Sequence, residues 1–204
     1  MSAIDKFLKN NRKWVDSLKK TDPNFFNELS KEQKPEYLWI GCSDSRVLTN
    51  HVIDMRPGEV FIHRNIANQI VHSDTNCMSV IQFAVNILKV KHIIICGHYD
   101  CGGITASLGE KYGGVIDQWL DHVRKVFQKH KNVFKTLKKN DTIDRLCEFN
   151  VVEQVTNMCN TEFVKNAWEN EQPLSIHGVI YDLKTGLLHD LDQCTSLEEL
   201  SKRN

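Results

Sequence analysis

The sequence predicts an α/β protein: a mainly parallel β-sheet core flanked by helices, with an N-terminal helical arm and a C-terminal β-hairpin. Three observations carry this. Short apolar, β-branched runs such as residues 92–96 have the composition of strands buried on both faces of a parallel sheet. Amphipathic stretches with three- and four-residue spacing separate those runs, which gives strand, helix, strand alternation. Near the end of the chain, Lys184-Thr185-Gly186 separates two further apolar runs, 174–183 and 187–191, in the manner of a hairpin turn.

Each element follows from local pattern. Residues 4–18 place Ile4, Phe7, Leu8, Trp14, Val15 and Leu18 on one helical stripe, opposite a Lys- and Asn-rich face. Such a stripe needs a cover, from its own domain or from a second subunit. Asp22-Pro23 restarts the chain, with Asp22 expected as N-cap and Pro23 at the first position of a helix over 23–31. A first strand is expected over 37–41. Arg56-Pro57-Gly58 reads as a tight turn, followed by a second strand over 59–63 and a polar loop over 64–68. A helix over 77–88 carries Met78, Ile81, Gln82, Val85 and Leu88, and a strand over 92–96 follows. Gly102-Gly103 opens another helix, whose first turn presents free N–H groups. Residues 113–139 are helical, with Ile116, Trp119, Leu120 and Val123 in phase. Asp141 is expected to cap the next helix, which bends near 157–160 and ends at Gln172-Pro173. The last dozen residues are polar, with a short helical tendency.

Composition excludes several classes. At 204 residues the chain is long enough for one domain with a substantial core. Its 26 basic and 26 acidic residues balance, so no global field favours nucleic acid or an anionic membrane. No apolar run approaches the roughly 18–20 residues of a membrane span, and the N-terminus lacks the apolar core of a secretory signal. Seven cysteines, an odd and scattered set, do not resemble a disulfide framework. The expected location is therefore the reducing cytoplasm.

The chemistry gathers in two stretches. Trp39-Ile40-Gly41-Cys42-Ser43-Asp44-Ser45-Arg46 turns abruptly from apolar to small and charged residues. Cys42 and Asp44 leave an extended segment on the same face, where a thiolate and a carboxylate repel unless a cation lies between them. Its complement, Cys96-Gly97-His98-Tyr99-Asp100-Cys101-Gly102-Gly103, also ends an apolar run. Ligands of a parallel sheet bind beyond the carboxyl ends of its strands. If these two strands are neighbours, Cys42, Asp44, His98 and Cys101 converge, and two thiolates, an imidazole and a carboxylate suit zinc. Four unrelated polar residues, or a purely structural zinc, are the competing readings. Cys96 reads as a buried strand residue, and Cys77, Cys147, Cys159 and Cys194 are expected to have no ligand-like partner nearby. His63 and His177 read as core histidines. Gly97–Gly103 lacks the spacing of a phosphate loop.

Together, Cys42-Ser43-Asp44-Ser45-Arg46, His63-Arg64-Asn65-Ile66-Ala67-Asn68 and Gly97-His98-Tyr99-Asp100-Cys101-Gly102-Gly103 resemble the signature blocks of a β-class carbonic anhydrase. The resemblance spans nearly the whole chain. It implies one zinc per subunit, reversible hydration of CO2 to bicarbonate, and a homodimer, often paired into a dimer of dimers, whose N-terminal helices embrace the neighbour. It implies a single domain over 1–204: an arm (1–34), a zinc-site core (35–110), a helical region (111–172), and a hairpin with tail (173–204). Cys42, His98 and Cys101 then hold the metal, while Asp44 leaves it to pair with Arg46. Gln33 of a partner subunit and the Gly102 N–H would meet substrate, and Phe61, Ile66 and Phe83 match apolar pocket positions. Trp39, Arg64 and Tyr181 match a bicarbonate-binding triad of the allosteric (type II) branch, in which bicarbonate favours Asp44 on zinc and alkaline pH opposes it. Leu48-Thr49 stand where Pro-Ala is common, and Asp100 where Gly is common. A hydrolase of carbon disulfide or carbonyl sulfide on the same zinc, or a weakly active bicarbonate-binding module, are the alternatives.

Overall fold

The computed structural model describes residues 2–202, so Met1, Arg203 and Asn204 at the ends of the expected domain lie outside it. The chain forms two compact units, residues 1–34 and 35–204. The first holds α1 (Ala3–Thr21) and α2 (Phe25–Leu29). Ser2 and Asp5 form a reciprocal capping box at the start of α1, and Lys19 and Lys20 complement the dipole at its end. Ile4, Phe7, Leu8 and Trp14 remain exposed, and Trp14 meets Phe26 edge-on at 5.7 Å. Asp22 does not cap α2. It closes α1 through its N–H to the Leu18 carbonyl, and its carboxylate accepts from Asn24 N. The carboxylate is spent on the turn over Pro23, and α2 begins two residues later than expected.

The second unit is built on β1 (Tyr37–Cys42), α3 (Thr49–Val52), β2 (Val60–Asn65), a 3-10 turn (Ile66–Asn68) and α4 (Thr75–Gln82). A π-helical turn (Phe83–Ile87) then leads to β3 (His92–His98), α5 (Gly102–Ser107), α6 (Val115–Lys129) and α7 (Lys131–Phe134). The chain closes with α8 (Lys139–Cys159), α9 (Glu162–Glu169), β4 (Ser175–Tyr181), β5 (Leu188–Cys194) and α10 (Leu197–Ser201). The five strands form one sheet in the order β2-β1-β3-β4-β5. All pairs are parallel except β4–β5, the terminal hairpin. The chain leaves β1 toward β2 on one side and returns to β3 on the other. The crevice between β1 and β3 is thus a topological switch point, where ligands of such sheets bind.

Several boundaries differ from the sequence pattern. The sheet extends β1 to Cys42 and β3 to His98, so both residues end their strands rather than follow them. Arg64 and Asn65, expected in a loop, belong to β2, where they pair with Gly41 and Cys42. Lys138, not Asp141, precedes α8, and Asp141 sits in its first turn. His130 interrupts the long helical stretch between α6 and α7. Thr161 takes the capping role that starts α9, accepting from Val164 N.

Helices α4, α8 and α9 cover one face of the sheet, burying Leu38, Ile40, Ile93, Ile95 and Ile176. Helix α8 approaches closely because the strands beneath it carry glycine. A Cβ at Gly178 would lie 2.8 Å from Val155 Cγ2 and 2.9 Å from Val151 Cγ1. One at Gly97 would lie 2.5 Å from Val151 Cγ2. Gly178→Ala is expected to destabilise by about 1–3 kcal/mol, the range for overpacking a filled core. A lower urea midpoint at unchanged slope checks this; an unchanged midpoint refutes the close packing.

Candidate metal centre

Strand ends and one helix start assemble the centre. Cys42 ends β1, His98 ends the adjacent β3, and Cys101 immediately precedes α5. All three are buried, and their ligand atoms lie within 4.8 Å of one another. The Cys42 and Cys101 sulfurs are 3.9 Å apart. His98 Nδ1 faces the Tyr99 carbonyl at 2.9 Å, so it carries the proton and leaves the Nε2 lone pair free. That Nε2 is buried and has no hydrogen-bond partner among the described residues. An orphaned imidazole nitrogen beside two sulfurs is costly unless a cation completes it, and this S, S, N donor set fits zinc. The contact between the two sulfurs favours ionisation of one thiol, with Cys42 pulled down, while it opposes ionisation of the other, with Cys101 pushed up. The first thiolate therefore forms readily, and the second needs a positive charge beside it.

Asp44 stands next to this cluster but is held elsewhere. Its Oδ1 accepts from Arg46 N and Nε, both at 2.9 Å, and its Oδ2 accepts from Arg46 Nη2 at 2.7 Å. These bonds hold the carboxyl well below the usual carboxylate range, so it stays ionised and acceptor-only. Its Oδ2 is also 3.8 Å from His98 Nε2, which gives the carboxylate one oxygen on the side of the ligand cluster. Arg46 Nη2 reaches on to the Asp100 carbonyl at 3.1 Å, fixing the fork between the two motifs. Asp100 takes a left-handed φ of 55°, a conformation that favours glycine.

A cavity of about 460 Å³ opens at the centre, and its wall includes Cys42, Asp44, Ile66 and Gly102. Phe61 and Phe83 stack on each other at 5.8 Å outside that wall, and Gln33 belongs to the N-terminal unit. Ile66 is positioned by a buried amide network that the sequence pattern missed. Gln69 Nε2 and Asn150 Nδ2 both donate to the Ala67 carbonyl, and Gln154 Oε1 accepts from Ile70 N. These bonds stabilise a segment in which Ala67 and Asn68 both have positive φ. Tyr112, Ile116 and Leu120 also line the cavity. The last two were legible only as helix positions, and Tyr112 carried no signal beyond the glycine pair after it.

The regulatory candidates lie on the same sheet. Trp39 is buried, and its indole N–H lacks a hydrogen-bond partner among the described residues. A Cβ at Gly41 would sit 2.6 Å from that nitrogen. Arg64, on the neighbouring strand, donates from Nε to the Cys42 carbonyl at 2.9 Å and from Nη2 to the Asp44 carbonyl at 2.6 Å. Tyr181 pairs in register with His98, two strands from Trp39. A second grouping, His63, Asp74 and Cys77, corrects the expectation that Cys77 has no ligand-like neighbour. Its members are otherwise engaged. Asn65 Nδ2 faces His63 Nε2, Asp74 caps α4, and the Cys77 thiol, pushed up to about 12 by burial, lies 4.0 Å from the Gln69 carbonyl.

A buried Cys-His-Cys cluster able to hold a metal ion, with an arginine-held carboxylate beside it, lies at the switch point of a mainly parallel α/β sheet. Comparison with known proteins narrows this. Residues 37–188 match the family model for carbonic anhydrase. A carbonic anhydrase of Emericella nidulans is 44% identical over 92% of this chain and 83% of its own. The structure of a Coccomyxa β-carbonic anhydrase in complex with acetazolamide superposes with a TM-score of 0.95. It is 40% identical, covering 99% of this chain and 92% of the other. One of two tetrameric β-carbonic anhydrases from Sordaria macrospora gives 0.90 at 36% identity, covering 94% and 98%. The chain belongs to the carbonic anhydrase family, in its β class.

Proposed function

We propose that the protein is a zinc enzyme that interconverts CO2 and water with bicarbonate and a proton. The observation that carries this is the Asp44–Arg46 pair beside the three ligands, since a structural metal site has no use for a carboxylate held just off its donors. Cys42, His98 and Cys101 would hold the ion. Zinc, when bound, supplies a water acidic enough to act as a nucleophile near neutral pH. Asp44 would accept a hydrogen bond from that water and so orient it toward the cavity. Arg46 keeps Asp44 ionised and oriented. Ile66, Ile116 and Leu120 offer CO2 an apolar wall, and Gly102 has room for close approach, since nothing lies within 4 Å of a Cβ placed there. Stopped-flow CO2 hydration, with zinc quantified in the same sample, tests the reading; zinc-loaded protein without hydration above background refutes it.

Self-association belongs to the same proposal: α1 leaves Ile4, Phe7, Leu8 and Trp14 exposed, and Gln33 would reach the pocket of a partner subunit. The seven free cysteines support a cytoplasmic location.

Regulation by bicarbonate is a second proposal, favoured by the unpartnered Trp39 N–H and by the Arg64 bonds to the Cys42 and Asp44 carbonyls. An anion drawing Arg64 toward Trp39 and Tyr181 would loosen the segment that holds Asp44 on Arg46. Trp39→Phe and Tyr181→Phe are expected to weaken bicarbonate inhibition at least about five-fold, the lower end of ordinary coupling between sites. Inhibition that stays purely competitive, and equal in both variants, rules this out.

A further inference from the structure

Tyr112 is about 73% exposed and yet lines the cavity over the metal centre, so its ring stands at the mouth rather than in the wall. It is carried on the loop between α5 and α6, just before Gly113 and Gly114, whose φ values of 83° and 73° favour glycine. Nothing lies within 4 Å of a Cβ placed at either, so packing does not hold the tip. The feet of the loop are held instead. Arg124 Nε donates to the Ser107 carbonyl at 3.0 Å, at the end of α5. Its Nη1 and Nη2 donate to the carbonyl and carboxylate of Asp117, at 3.0 and 2.6 Å. The other carboxylate oxygen of Asp117 accepts from Gly113 N. Trp119 Nε1 donates to the Ile66 carbonyl at 2.8 Å, which ties α6 to the cavity wall. One guanidinium thus pins both ends of a short flap whose tip presents an aromatic ring to the entrance.

We propose that Tyr112 is a specificity-determining residue of this site. Its ring narrows the mouth so that linear triatomic molecules and small anions pass freely and ring-bearing ligands are slowed. The proposal rests on the metal-centre reading above. The test uses zinc-loaded full-length protein and two probes of metal-site access, thiocyanate and acetazolamide, with binding measured directly rather than through activity. Tyr112→Ala is expected to raise the acetazolamide association rate about five-fold or more, because entry no longer waits on ring displacement. Thiocyanate affinity and zinc content should not change. Tyr112→Phe, which keeps the ring, should match the parent. An acetazolamide rate within about two-fold of the parent in Tyr112→Ala overturns the proposal, as does an equal change for both probes. Failure of both probes to bind the zinc-loaded parent overturns the metal-centre reading itself, and this inference with it.

Discussion

Cys42→Ser and Cys101→Ser proteins will purify without stoichiometric zinc and will not hydrate CO2 above background. A serine hydroxyl is isosteric with the thiol but far harder to ionise, so each change leaves two protein donors where three converge within 4.8 Å. Structural zinc sites are worth about 10–16 kcal/mol in peptides at neutral pH, and thiolates supply much of that affinity. The fold should survive, because the sheet's packing lies in the separate cluster around Leu38, Ile40 and Ile95. Circular dichroism and zinc analysis on the same samples separate metal loss from unfolding. If both variants kept full zinc and full activity, the ligand assignment would be wrong.

Arg46→Ala should behave differently: zinc retained, turnover reduced by roughly 10²–10⁴, the scale of a lost proton-transfer group. The change removes the two side-chain bonds to Asp44 and leaves only the backbone bond from residue 46. The freed carboxylate has its Oδ2 already 3.8 Å from His98 Nε2 and can swing onto the cation. Arg46→Lys should not restore turnover, because an ammonium cannot make the two-pronged contact. Stopped-flow hydration paired with zinc analysis reads both halves. An Arg46→Ala enzyme with near-parent turnover would falsify the positioning role.

The sheet, its parallel sense and the hairpin were legible because buried strands and amphipathic helices leave opposite periodicities. The grouping of Cys42, His98 and Cys101 was legible because cysteine and histidine at strand ends are conspicuous among apolar residues. The missing parts share a cause. Arg64 and Asn65 are polar yet extended, since a strand that ends at a site carries the site's residues instead of core residues. The π turn at Phe83–Ile87 keeps a helical composition, so periodicity cannot mark it. Gln69, Asn150 and Gln154 look like surface residues until α8 crosses the loop after β2, more than eighty positions earlier. Asp22 and Asp141 fit the residue preference for caps, but the Asp22 carboxylate is used in the turn over Pro23, and the helices start after Asn24 and Lys138.

The amide network under residues 66–70 has a consequence for hydrogen exchange. The backbone N–H of Gln69 is bonded to Asn65 Oδ1 and that of Ile70 to Gln154 Oε1, and both residues are fully buried. These amides sit in a loop by chain trace, yet both are buried and bonded, and that of Ile70 can exchange only when α8 releases it. They should therefore exchange at the rate of the strand core, while amides of 109–112, at the entrance, exchange within seconds. The site thus has one wall that yields only to near-global unfolding and one that opens locally.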